Sequence, residues 1–90
     1  MILALTGNER LQFQTILPIQ GDLKTLELVD SILSKVKIDD INDIKSNEEQ
    51  EFEFNDKESE LIHEMIKILD SQQQLQFTSL SLIKKIIKET

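Results

Sequence analysis

Stretches of apolar residues at helical spacing alternate with short polar breaks along this chain, and the breaks define the elements it is expected to form. Residues 2–5 are apolar with a loose alternation that fits a short strand. Thr6-Gly7-Asn8-Glu9 then reads as a capping box, in which the Thr6 hydroxyl and the Glu9 carboxylate satisfy free amides at a helix start. The helix is predicted to run to about Leu17 and to stop there, because Pro18 disfavours helical geometry in the residue before it. Gly21 marks the same break. Asp22 is placed to cap a second helix running to about Lys37. Leu26, Val29, Ile32, Leu33 and Val36 share one arc of its wheel, with Leu28 at the edge. Lys35 and Lys37 fall in its last turn, where positive charge complements the helix dipole.

The pattern weakens after Ile38. Ile41 and Ile44 can anchor a single helical turn, and residues 46–50 contain no apolar side chain and read as an exposed loop. Glu51-Phe52-Glu53-Phe54 alternates strictly, which predicts a short strand with both rings on one face. So short a strand needs a partner. Residues 2–5 and 75–77 are the candidates, the latter alternating as Gln-Leu-Gln-Phe from Gln74. Asn55-Asp56-Lys57-Glu58 is a second capping box, and Leu61, Ile62, Met65, Ile66 and Leu69 behind it give the clearest helical stripe in the chain. Residues 70–74 break it. Thr78 is the expected cap of a last helix, on which Leu80, Leu82, Ile83, Ile86 and Ile87 cover about half the surface, more than one neighbour usually hides. The prediction is a mainly α fold: a compact bundle of about four short helices with a minor two- or three-strand β element, in a single domain spanning residues 1–90.

Composition narrows the chemistry. With 39% hydrophobic and 30% charged residues, the 90-residue chain is composed like a folded domain rather than a disordered one. It has no cysteine, which excludes disulfides, zinc ribbons and thiol chemistry, and no Trp or Tyr, which leaves little aromatic surface for stacking bases. The apolar N-terminus ends after five residues and lacks a basic flank, so it does not read as a signal peptide, and no run approaches the roughly 18 apolar residues of a membrane span. The expected location is the cytoplasm. The net charge of −7 is unevenly distributed. Residues 39–60 hold ten acids and two lysines, a balance of −8, while the rest of the chain comes to +1.

No pattern in the sequence marks a catalytic, cofactor or metal site. His63 is the only histidine and sits off the centre of its helix's apolar stripe, so a solvated place is expected for it. Asp40, Asn42 and Glu51 match positions 1, 3 and 12 of a calcium loop, but position 5 is Ile44 and position 6 is Lys45, where the turn requires glycine. Carboxylate pairs such as Asp39/Asp40 and Glu48/Glu49 lack any sign of a pocket that would shift a pKa. With only Gly7 and Gly21, there is no phosphate-binding loop. The protein is therefore not expected to be an enzyme.

What remains is surface. Asp39, Asp40, Asp43, Glu48, Glu49, Glu51 and Glu53 form an acidic segment, and Leu28, Ile68 and Leu82 lie at the edges of apolar stripes. Edge positions in small domains are commonly buried in their own core, and single exposed leucines need no explanation. Together with the acids, however, they are the candidate surface for a protein partner or a second copy, since small domains often complete an inadequate core by oligomerising.

The first half also resembles small, mostly uncharacterised proteins encoded by bacteriophages and prophages. The residues that carry the resemblance are Glu9-Arg10-Leu11, Ile16-Leu17-Pro18, Gly21 two residues after Ile19, and Leu23-Lys24-Thr25-Leu26. The later order is similar as well: an acidic stretch ending in Glu51-Phe52-Glu53-Phe54, a helix, a polar break and a short last helix. The resemblance implies a phage genomic context and carries no active site. The expected function is that of a non-catalytic accessory protein acting on another protein, with inhibition of a host factor or defence system as one form. A small assembly protein acting as a homo-oligomer is one alternative. Nucleic-acid binding through Lys84, Lys85 and Lys88 is another, weakened by the overall acidity.

Overall fold

In a computed structural model, which describes residues 1–39, 42 and 48–89, both capping boxes form and launch the helices that follow them. In the first, the Thr6 hydroxyl accepts from the Glu9 amide at 3.2 Å and the Glu9 carboxylate accepts from the Thr6 amide at 2.9 Å. Helix α1 (Gly7–Ile16) begins there and ends as expected, with Leu17 extended at ψ 146° ahead of Pro18. Asp22 caps α2 (Leu23–Val36) by accepting from the Thr25 amide at 2.8 Å. Asn55 and Glu58 repeat the reciprocal arrangement at the start of α3 (Asp56–Ser71). A single 3₁₀ turn (Phe77–Ser79) then leads into α4 (Leu80–Lys88).

Strand β1 (Ile2–Leu5) pairs antiparallel with β2 (Gln50–Glu53), with Leu3 opposite Phe52 and Ala4 opposite Glu51. Met1 extends the ladder, its carbonyl accepting from the Phe54 amide at 2.8 Å. The period-two alternation sends Leu3, Leu5, Phe52 and Phe54 inward and leaves Ile2, Ala4, Glu51 and Glu53 outside. Of the two candidate partners for the acidic strand, the N-terminus is the one used. Residues 75–77 stay out of the sheet: Gln73 adopts a left-handed φ of 56°, and the chain leaves α3 toward α1 rather than toward β2. Thr78 does not cap the last helix either. The 3₁₀ turn feeds α4 directly, and the buried Ser79 at its N-terminus turns its hydroxyl to Thr15 Oγ1, 2.8 Å away.

The helices alternate in direction, and side-chain contacts fix this. Arg10, in the first turn of α1, donates to the carbonyl of Val36 at the end of α2. Ser31 and Lys35 of α2 both reach Glu58 in the first turn of α3. Thr15 near the end of α1 meets Ser79 at the start of α4, while Lys85 later in α4 reaches Glu9 at the start of α1. One end of the bundle thus holds the starts of α1 and α3, the end of α2 and the sheet. The other holds the end of α1, the start of α2, the end of α3 and the start of α4. Between them lies one apolar cluster including Leu5, Phe13, Ile32, Phe54, Ile62, Leu82 and Ile86. Phe13 and Phe54 meet there with ring centroids 5.7 Å apart.

Candidate functional site

The sheet end is closed by charge turned inward. Glu58 is fully buried, yet its carboxylate accepts from Lys35 Nζ at 2.5 Å, Ser31 Oγ at 2.7 Å and the Asn55 amide at 2.9 Å. Burial pushes the Glu58 pKa up, but these donors outweigh it and hold the carboxyl below its ordinary value. Glu9 follows the same logic. Burial raises its pKa, while Lys85, the Thr6 amide and Ser81 together bring it below the usual range. Lys85 uses its three donors on the Ala4 carbonyl at 2.7 Å, on Glu9 at 2.6 Å and on Glu49. Burial disfavours its charge, and the two carboxylates more than restore it, so its pKa is raised.

Arg10 completes this end. Its side chain is buried, donates to the carbonyls of Val36 and Lys37, and lies over the Phe52 ring at 5.0 Å from the centroid. A guanidinium thereby satisfies the last carbonyls of α2 and complements the negative end of its dipole. Nothing in the local sequence announces this role, because the residues it caps lie 26 and 27 positions away.

These contacts redistribute the acidic segment. Glu49 is paired with Lys85, and Asp39 lies 3.8 Å from Lys37. Glu51 and Glu53 are exposed on the outer face of β2, and Glu48 is exposed as well. Asp40 and Asp43, with Ile41, Ile44 and Lys45, lie outside the described residues. Among the described residues no cluster of three or more His, Asp or Glu side chains is arranged to hold a metal ion. Of the three basic residues near the C-terminus, Lys84 and Lys88 are exposed while Lys85 is held in its carboxylate pair.

The apolar edge residues separate. Leu82 is fully buried in the core and is withdrawn from the candidate surface: α4 packs on α1, α3 and β1, which hides the centre of its broad stripe. Leu28 is half-buried beside Leu61, in a shallow groove between α2 and α3. Ile68 is 39% exposed. It lies three turns beyond Asp56, about 18 Å along α3, and so sits at the opposite end from Glu51 and Glu53. Glu51 and Glu53 do not share a surface with Ile68.

His63 is half-buried rather than fully solvated, with Nε2 3.3 Å from the Ile86 carbonyl, on the flank between α3 and α4. An open groove of about 820 Å³ runs there, lined by Glu60, His63, Glu64, Lys67, Leu75 and Ile87 among others. Ser59 also lines it, but its hydroxyl donates to the Asn55 carbonyl at 2.8 Å. The ring and the hydroxyl are each directed at a backbone carbonyl instead of at one another, which is not the arrangement of a nucleophile and its base.

The far end of the bundle has the opposite character, and of its residues the sequence singled out Ile68 alone as a surface candidate. Six of the nine exposed large hydrophobic residues among those described belong to it: Ile19 and Phe77, 88% and 86% exposed, with Leu23, Leu26, Ile68 and Leu80. They come from four separate segments that the alternating helix directions bring to one end. The signal was present as apolar residues inside or beside the polar breaks, at Ile19 and Phe77, but it has no period and is invisible to a helical wheel.

No helix among the described residues is long and apolar enough to cross a membrane. Compared with protein-family models, curated proteins and solved structures, the chain matches none of the three.

Proposed function

We propose that this chain is a non-catalytic protein that acts by docking another protein surface on the apolar end of its bundle. The observation that carries this reading is the concentration of Ile19, Leu23, Leu26, Ile68, Phe77 and Leu80 at one end. A monomer's largest apolar patch is typically about 300–600 Å², and patches at or above that size mark interaction sites. Charged side chains, by contrast, are used at the sheet end to close the fold. The loose resemblance of residues 9–26 to phage proteins supports an accessory role in the cytoplasm of a phage host, where inhibiting a host factor is one form such docking takes.

A photo-crosslinking side chain placed at position 77, with position 53 as control, tests this in the cell that makes the protein. A cross-linked protein product from position 77 and none from position 53 is expected. Products from position 53 alone, or from neither, would overturn the reading.

A further inference from the structure

We infer that the surface docked on the apolar end is a second copy of the same chain, giving a two-fold, end-to-end dimer. This rests on the reading above and names its partner.

Area is the first argument. At their observed exposures the six residues leave on the order of 600 Å² of surface open, most of it apolar, where a standard interface covers about 800 Å² per partner with an apolar centre. With its polar rim added, this end of the bundle is the size of one half of a stable dimer contact. A chain of 90 residues has a small core of its own, and burying such a patch against an identical one enlarges it.

Charge is the second, and it selects the occupant. Charged residues of both signs border the apolar end: Asp22, Lys24 and Glu27 in the first turns of α2, Lys67 and Asp70 near the end of α3, and Lys84 one turn beyond Leu80. Among the described residues Lys24, Lys67 and Asp70 take part in no ion pair. A balanced rim offers nothing to a strongly charged partner of either sign. It is self-complementary: a two-fold axis sets the same patch against itself, so lysines of one copy can meet aspartates of the other. Among the described residues, the exposed acids Glu51 and Glu53 of β2 and Asp56 at the start of α3 lie at the sheet end. End-to-end docking therefore points the two acidic ends apart, well beyond the Debye length of about 8 Å at physiological salt. A chain of net charge −7 can associate with itself in this arrangement and would be opposed in a sheet-end or side-by-side one. Because a two-fold contact uses the patch on both copies at once, it closes at the dimer and does not propagate into a filament.

The test is the mass of the full chain in solution, by light scattering and sedimentation equilibrium, over a dilution series from about 300 μM down to about 5 μM. The expected result is a rise from the 10.4 kDa monomer to twice that mass and no further. Ile19→Asp and Phe77→Asp should each raise the dimer dissociation constant at least about 100-fold, as a charge placed in an apolar contact does. Their monomers should keep the wild-type helical circular dichroism, since both positions are almost fully exposed. Glu51→Lys, at the other end, should leave the constant within about 3-fold, as an exposed charge away from the contact does. A chain that stays monomeric throughout overturns the inference, as does a dimer that Ile19→Asp and Phe77→Asp leave intact. A monomer whose position 77 cross-links to a different protein overturns the second copy while leaving the interaction reading standing. A monomer with no cross-link overturns both.

Discussion

At the sheet end, Lys35, Lys85 and Arg10 fold back on the protein, where they meet three carboxylates and the last carbonyls of a helix. At the other end, Ile19, Leu23 and Phe77 point out of it and meet solvent. Both ends are where helices begin and stop, and both must deal with the unpaired backbone groups found there. The sheet end answers with long-range side chains that tie α1, α2, α3, α4 and β1 to one another. The far end answers locally. Asp22 caps α2, and its pKa is held low by the Thr25 amide and hydroxyl. Gln73 closes α3 in a left-handed turn, with the Gln74 amide on the Leu69 carbonyl at 2.8 Å. Among the described residues, the Thr15–Ser79 pair is the side-chain hydrogen bond that crosses between elements there. One end is therefore built to hold the chain together, and the other to be covered.

That contrast can be broken first at Glu58. Glu58→Ala removes a buried carboxylate and strands the donors of Ser31, Lys35 and the Asn55 amide; a loss of about 3 kcal/mol is expected in urea unfolding. The figure stays at the low end for a buried pair because Lys35 is over a third exposed and regains water. Arg10→Ala comes next, at about 2 kcal/mol, since it loses both the charge-assisted bonds to the end of α2 and the packing of its stem over Phe52. Should either substitution prove as mild as one on an exposed face, the sheet end would not be the clamp described.

A pH series sharpens the same point without mutation. Glu9 and Glu58 have folded pKa values below their ordinary 4.5, so the stability they contribute is complete above that value and is lost as pH falls through the folded ones. Lys85 is raised above 10.5, so its contribution holds below that value and is lost as pH climbs through the raised one. The urea midpoint should be flat from about pH 6 to about pH 9 and fall on both sides, more gently on the acid side in Glu58→Gln.

The far end should respond in the other direction. Gln73→Gly relieves a left-handed backbone that side chains other than glycine resist, and a gain of about 0.5–1 kcal/mol is expected. Ile19→Ser and Phe77→Ser should alter monomer stability least, within about 0.5 kcal/mol by thermal unfolding below the association range, because exposed side chains leave little to lose.

Patterns along the chain were enough to set the mainly α class, both capping boxes, the stop at Pro18 and the inward alternation of β2. Each depends on residues within a few positions of one another, so local sterics and hydrogen bonding decide it. Thr78 shows the limit of that reasoning. The residue types of a cap are present, but a hydroxyl pair 64 positions apart in sequence takes Ser79 instead and a 3₁₀ turn starts the helix. Leu82 shows another: a stripe too broad for one neighbour reveals that something exceeds the core, while only packing decides that its edge residues Leu80 and Ile87 are the ones left out. The acidic segment was legible as charge, but tertiary structure drew Glu49 and Glu58 into ion pairs and left Glu51 and Glu53 outside. The apolar end belonged mostly to tertiary structure, with Ile68 and the broad stripe carrying Leu80 the parts of it visible along the chain. Its residues come from four segments between Ile19 and Leu80, and no periodicity links them. They share one end because the helices alternate in direction.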